Sequence, residues 1–236
     1  IVLITHKLDE ILAISDAVSV MRHGRVVAEY ATLDTDADSL ARQMIGEDPR
    51  RQSLQRSATA SQDVVLELVD ISTTNDDGVR TLDNVCLSLR AGSILGVAGV
   101  DGNGQSELAQ VIAGLLEPAS GDVVVNGRVV TGLPAAARHR DCGIAYVPED
   151  RNRVGLVMDH TVEENLILRS HPYWPFSWKG FLRLGENRRH ALEKIEQFDI
   201  RLRSEKQVAR DLSGGNQQKI ILARELHGNP VVIVVA

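Results

Sequence analysis

Residues 99–106, Gly99-Val100-Asp101-Gly102-Asn103-Gly104-Gln105-Ser106, set three glycines in a run of eight that ends on a hydroxyl. Loops of this kind bring backbone N–H groups against phosphate oxygens, because no Cβ stands in the way. The spacing follows G-x-x-x-x-G-K-[S/T] except at one position. Where the pattern has lysine, this chain has Gln105, whose amide donates a hydrogen bond but carries no charge. A polyanionic nucleotide would therefore lose a unit of neutralising charge beside its terminal phosphates, and a developing transition state would lose more. The chemistry expected here is binding of ATP, with Ser106 offering its hydroxyl to Mg2+, at a slow or inactive hydrolytic site.

A second constellation lies far downstream. Leu212-Ser213-Gly214-Gly215-Asn216-Gln217-Gln218 precedes a run with helical spacing from Asn216 to about Leu226, with Gly228 as its stop. Backbone donors and the helix end can meet a phosphate there. A plain surface helix with Ser213 as its N-cap is the bland alternative, but a simple cap does not require two successive glycines. Between the two motifs, residues 143–150 read as a strand and loop ending at Glu149, a carboxylate that can approach a metal but cannot donate as an amide would.

These residues need elements to hold them. Val64 to Val69 and Val85 to Leu89 alternate apolar and polar side chains, and Ile94 to Val100 is a nearly continuous apolar run, so three strands are expected before the loop. After it, Leu108, Val111, Ile112, Leu115 and Leu116 form a stripe at helical spacing. Residues 150–211 read as a helical subdomain, with helical spacing at Thr161 to Leu168 and at Glu186 to Phe198. Between them Tyr173, Trp174, Phe176, Trp178 and Phe181 crowd a proline-broken segment that holds five of the chain's eight aromatics. This is either an interface anchor or a local core beneath a long loop.

Residues 47–62 are rich in Arg, Gln and Ser and poor in large apolar side chains, which marks a linker. Before it, Ile1 to Ile4 reads as a strand, Lys7 to Ser15 as a helix, and Ala17 to Tyr30 as two strands turned at His23-Gly24. The first residues lack Met and the last, Val231 to Ala236, are apolar, so a piece of a longer polypeptide is expected.

Composition sets the class. With 236 residues, 43% of them hydrophobic, the chain can bury a sizeable core. A formal net charge of -6 provides no basic footprint for nucleic acid. No run approaches the length of a membrane-spanning helix, so any membrane association is expected to pass through a protein partner. Cys86 and Cys142 lack metal-like spacing and read as two buried thiols in a reducing compartment.

On GVDGNGQSEL (99–108), YVPEDR (146–151), ENL (164–166) and LSGGNQQK (212–219), the chain resembles the tandem-cassette ATPases of bacterial ABC importers for simple sugars and nucleosides. The resemblance implies an α/β P-loop NTPase fold: residues 1–46 as the tail of a first cassette, 63–236 as a second cassette with its helical subdomain, cut at the strand where Ala236 stands in place of a magnesium-holding aspartate. It implies that His6, in ITHKLDEI, contacts a terminal phosphate as the catalytic switch residue. Paired head to tail, cassette two's signature, Leu212 to Gln217, would complete the site of cassette one. Gln105, Glu149 and Ala236 would fall in the other, degenerate site. Implied partners are transmembrane permease subunits, docking near Tyr173 to Phe181, the opposing cassette, and indirectly a periplasmic or lipoprotein solute-binding protein, with the chain on the cytoplasmic side of the plasma membrane. A soluble regulatory or ribosome-associated nucleotide-binding factor is the alternative class.

Overall fold

The computed structural model describes residues 1–5, 7–22, 24–45, 61–75, 77–100 and 102–236. His6, Asp101 and most of the expected linker thus lie outside the described residues. The chain divides into two compact units, Ile1–Ser57 and Ala58–Ala236.

The first unit contains α1 (Leu8–Ile14), β1 (Ala17–Arg22), β2 (Arg25–Ala31) and α2 (Ala37–Ile45). β1 and β2 form an antiparallel pair whose register runs from Ala17 against Ala31 to Arg22 against Arg25, with an irregularity at Val20/Met21. Its small core joins Val18, Val20 and Leu40 to Leu8, Ile11, Leu12 and Tyr30. The strand expected at Ile1 to Ile4 is absent: the segment has no ladder partner and its side chains are exposed. Apolar composition favours a strand only where a neighbour supplies the hydrogen bonds.

The second unit begins with an antiparallel sheet, ordered β4-β3-β5-β6, of β3 (Val64–Thr74), β4 (Arg80–Arg90), β5 (Ser120–Val125) and β6 (Arg128–Val129). Between β4 and β5 the chain passes through the glycine loop into α3 (Gln105–Ala113). Then α4 (Ala135–Cys142) leads to β7 (Ile144–Val147), which pairs in parallel with β10 (Val232–Val235). One core unites Leu66, Leu68 and Val123 of the antiparallel sheet, Val111 and Ile112 of α3, and Ile144 and Val232 of the parallel pair. The stripe read from the sequence therefore holds for Leu108, Val111 and Ile112, whereas Leu115 lies past the helix and is exposed.

A second core belongs to the helical part. It is formed around α5 (Val162–Ile167), α6 (Leu184–Gln197) and α7 (Gly214–Glu225), from Leu156, Val162, Leu166, Ala191, Ile220 and Ile221. α5 starts at a reciprocal cap, with Thr161 Oγ1 accepting from Glu164 N while the Glu164 carboxylate accepts from Thr161 N at 2.7 Å. A hairpin of β8 (Ser177–Trp178) and β9 (Phe181–Leu182) projects between α5 and α6 in the chain.

Two expectations are corrected. Residues 93–100 form no strand, since the ladder of β7 and β10 does not reach them. Cys86 is exposed, not buried: β4 alternates, and Cys86 falls on its outer face, where its Sγ lies 3.2 Å from Asp70 Oδ1.

Candidate nucleotide and signature sites

The glycine loop turns into α3 at Gly104, the residue before the helix, which has φ +94°. A Cβ there would lie 2.7 Å from the Thr81 carbonyl oxygen, so both backbone conformation and space call for glycine. Asn103 N donates to Val100 O at 3.2 Å, closing the turn, and Leu108 N donates to Gly104 O at 2.9 Å, starting the helix. Gly102 is also at positive φ, and Asn103 and Ser106 are exposed. No side chain caps the first turn of α3, so its N–H groups and positive end remain available to an anion.

Gln105 does not extend from the helix. Its amide folds back against Gly99 and donates from Nε2 to Val100 O at 3.2 Å. The residue standing for the lysine thus spends its donor on the loop's own backbone. Gln105, Ser106, Glu149 and Ala236 line one cavity of about 600 Å³, together with Ile94, Val97, Val232 and Val234. That volume is of the size that small-molecule ligands occupy. Its polar lining comprises the hydroxyls of Ser93 and Ser106, the Gln105 amide, the Glu149 carboxylate and the Arg90 guanidinium, and the Ala236 side chain provides no metal ligand. Among the described residues no group of three or more His, Cys, Asp or Glu side chains could hold a metal ion.

The far end of α3 is held by a residue the sequence did not single out. Arg138, only 1% exposed, donates from Nη1 to the carbonyls of Val111 at 2.5 Å and Ile112 at 3.1 Å, and from Nε to Leu133 O at 3.0 Å. A cation on the last carbonyls of a helix satisfies orphan acceptors and suits the negative end of the helix dipole. Burial pulls the Arg138 pKa below its ordinary value, while Cys142 and Glu117 oppose this.

The signature forms a separate constellation. Leu212 is buried in the helical core, Ser213 is the residue before α7, and Gly214 and Gly215 form its first turn. Ser213 makes no cap to the backbone, so the plain capped-helix reading fails. Its Oγ instead accepts from Asn216 Nδ2 at 3.0 Å, while Asn216 Oδ1 accepts from Arg201 N at 2.8 Å.

Arg151 joins this motif to the Glu149 loop. After β7 the chain enters a single wide turn, Arg151–Gly155, held by the Asp150 carboxylate accepting from Asn152 N and Arg153 N. From there Arg151 Nε donates to Gln217 Oε1 at 3.2 Å, and Gln217 Nε2 donates to Ala209 O at 3.0 Å. The guanidinium lies against Gly214, where a Cβ would come within 2.7 Å of Nη2. Gly214 thus leaves room for the guanidinium of Arg151, two residues beyond Glu149. Arg151 stood within YVPEDR, but no local pattern pairs it with a residue 66 positions away.

A buried ionic cluster lies at the other end of α7. Glu225, with no solvent exposure, accepts from Arg224 Nε and Arg169 Nη1, both at 2.9 Å. Arg224 Nη2 donates to Gly155 O at 2.8 Å, while its Nη1 is buried without a hydrogen-bond partner. Desolvation also lowers the pKa of Arg169 and of His139, which lies beside the cluster with its Nδ1 3.1 Å from Ile144 O. Among the described residues no hydrogen bond joins the loop at 99–106 to the signature at 212–217.

Residues 82–235 match the family described as ABC transporter. The nucleoside import ATP-binding protein NupA of Lactococcus lactis subsp. cremoris is 40% identical over 238 residues, covering 100% of this chain and 46% of that protein. The glucose import ATP-binding protein TsgD13 of Haloferax volcanii is 40% identical, covering 99% of this chain and 42% of its own length. The ribose import ATP-binding protein RbsA of Corynebacterium glutamicum is 37% identical, with 99% and 43% covered. The chain thus spans about half the length of the curated relatives it matches. Among solved structures, a dimeric ATP-binding cassette in a post-hydrolysis state with ADP and Pi superposes with a TM-score of 0.60 at 27% identity, covering 72% of each chain. A nucleotide-free cassette from an ABC transporter gives 0.58 at 25% identity, covering 73% of this chain and 68% of its own. With an α/β P-loop cassette fold, a glycine loop opening α3 and a glycine pair opening α7, the chain belongs to the ABC transporter family.

Proposed function

We propose that this chain is part of the ATP-binding and ATP-hydrolysing subunit that energises import of a simple sugar or nucleoside. The names of the relatives support the transport role, and their division among nucleoside, glucose and ribose import leaves the solute open. In this reading residues 1–46 end a first cassette and 63–236 belong to a second. The opposing cassette of the same protein and transmembrane permease subunits are the direct partners, and a periplasmic or lipoprotein solute-binding protein acts through the permease. The protein works at the cytoplasmic side of the plasma membrane. No helix among the described residues is long and apolar enough to cross a membrane, consistent with peripheral attachment.

The finer proposal is that the chain holds two half-sites. The site built on Gly99, Gly102, Asn103, Gly104, Gln105 and Ser106 is degenerate, and the observation that carries this is the Gln105 amide bonded to Val100 O. Here the loop N–H groups would bind phosphate, Ser106 would offer the hydroxyl oxygen to Mg2+, and the bound cation would supply charge neutralisation, which Gln105 cannot. Glu149 carries a negative charge into the same cavity and disfavours phosphate further. Leu212 to Gln217, with an uncapped first turn, complete the other site, where His6 contacts the terminal phosphate.

The test is ATP turnover by the full-length parent protein with Ser213→Arg, which places a bulky cation on the α7 turn. Loss of turnover with retained folding supports the assignment. Undiminished turnover would mean that the Gln105 site hydrolyses ATP, and the two roles would be reversed.

A further inference from the structure

Phe176, 4% exposed, packs edge-on against His190 with ring centroids 4.9 Å apart and against His227 at 6.1 Å. Ser177, the next residue, and Asn187 of α6 are buried as well, so this end of the segment is fixed. From that anchor β8 and β9 project as a hairpin, with Lys179 and Gly180 at its tip, both at positive φ. The large side chains beyond the anchor face outward: Trp174 is 69% exposed, Trp178 62%, Phe181 79% and Leu184 67%. A local core beneath a loop would bury these groups, and only Phe176 is buried.

Cations accompany the aromatics. Lys179 Nζ lies 4.8 Å from the Trp178 ring centre, and the Arg183 guanidinium lies 4.2 Å from that of Trp174. Arg183 also approaches Glu186 at 3.7 Å. Between Glu164 and Glu186 the sequence has no acidic residue, although the chain as a whole carries a formal charge of -6. The local surface is therefore apolar, aromatic and basic on an otherwise acidic protein.

We infer that residues 173–184 form a membrane-surface anchor, with Trp174, Trp178 and Phe181 entering the headgroup region of an anionic bilayer and Lys179 and Arg183 meeting lipid phosphates. Rings with an apolar body and a polar edge suit that boundary, and basic side chains are drawn to an anionic leaflet. Charge favours lipid over a permease helix: the exposed aromatics are interleaved with Lys179 and Arg183 and with no acidic residue between Glu164 and Glu186, which matches an anionic leaflet. The inference does not depend on the import reading, because lipid binding is measured without nucleotide or solute.

Trp174 and Trp178 are the chain's two tryptophans, so its tryptophan emission reports on this hairpin alone. The purified chain is mixed with phosphatidylcholine vesicles with and without phosphatidylglycerol, then followed by flotation and emission. Flotation with the anionic vesicles and a blue shift are expected, both reversed by salt. Lys179→Gln should weaken partitioning about five-fold. Trp178→Ser combined with Phe181→Ser should abolish flotation while the far-ultraviolet circular dichroism stays unchanged. Lack of flotation on anionic vesicles, equal binding to neutral ones, or unaltered flotation of a folded double variant would overturn the inference. So would an emission shift seen only with detergent-solubilised permease subunits, which would assign the hairpin to a protein partner.

Discussion

Glu225, near the end of α7, accepts a hydrogen bond from the backbone N–H of Tyr146 in β7 at 3.3 Å, across 79 residues of sequence. Together with the Arg151 to Gln217 contact, this ties the signature helix to the Glu149 strand and loop at both ends. The helical and sheet cores are thus joined by polar contacts of fixed direction, not by apolar packing alone.

Removing the carboxylate should be costly. In Glu225→Ala the guanidinium groups of Arg224 and Arg169 lose their common acceptor inside the protein, and the expected loss is about 3–5 kcal/mol. Glu225→Gln should lose less, since an amide oxygen can still accept from Tyr146 N. Urea unfolding of both variants measures the difference.

Gln105→Lys restores the ammonium absent from the glycine loop. Affinity for ATP should rise about tenfold, the effect of replacing a neutral donor with a charge-assisted one. Titration of the wild type and variant with a fluorescent ATP analogue decides the matter. An unchanged affinity would show that the loop is limited by something other than the Gln105 charge.

Gly214→Ala places a methyl 2.7 Å from Arg151 Nη2. The guanidinium, at the flexible end of its side chain, must shift and weaken its bond to Gln217, and a loss of about 1 kcal/mol or less is expected. The double variant Gly214→Ala with Arg151→Ala should lose less than the sum of the two single changes, because the clash then has no partner. Thermal unfolding of the four proteins provides the cycle.

Stability should fall with acid through His190. Burial, aided by His227 and Lys194, depresses its pKa from 6.5 to about 4. The unfolded chain therefore takes up a proton near pH 6.5 that the folded chain refuses until about pH 4, so stability is full above that window and declines through it as pH falls. Desolvation lowers the pKa of His227 in the same direction. Urea midpoints measured across this window should fall less steeply for His190→Gln than for the wild type.

Local chemistry was the legible part of this chain. The glycine loop and α3, the helical spacing from Thr161, and the helix stop at Gly228 are written in short-range residue types whose preferences act over a few positions. Long-range satisfaction was not legible. Ile94 to Val100 has the composition of a central strand, but pairing depends on a neighbour, and neither β7 nor β10 extends to it. Arg138 and Glu225 look like ordinary surface charges in sequence, since nothing adjacent announces that carbonyls and guanidinium groups will surround them. Gln105 was identified by type alone. That its amide turns inward onto Val100 O was a matter of geometry.

Arg138 gives α3 a second foundation. The helix is nine residues long, too short to persist without tertiary support, and its final carbonyls rest on a guanidinium carried by α4. The posture of the glycine loop is thereby set from behind, by a side chain that never approaches a phosphate. Loosening α4 would leave every loop residue unchanged yet blunt the cradle, so the nucleotide-binding capacity of this fold is inherited in part from a helix with no nucleotide motif.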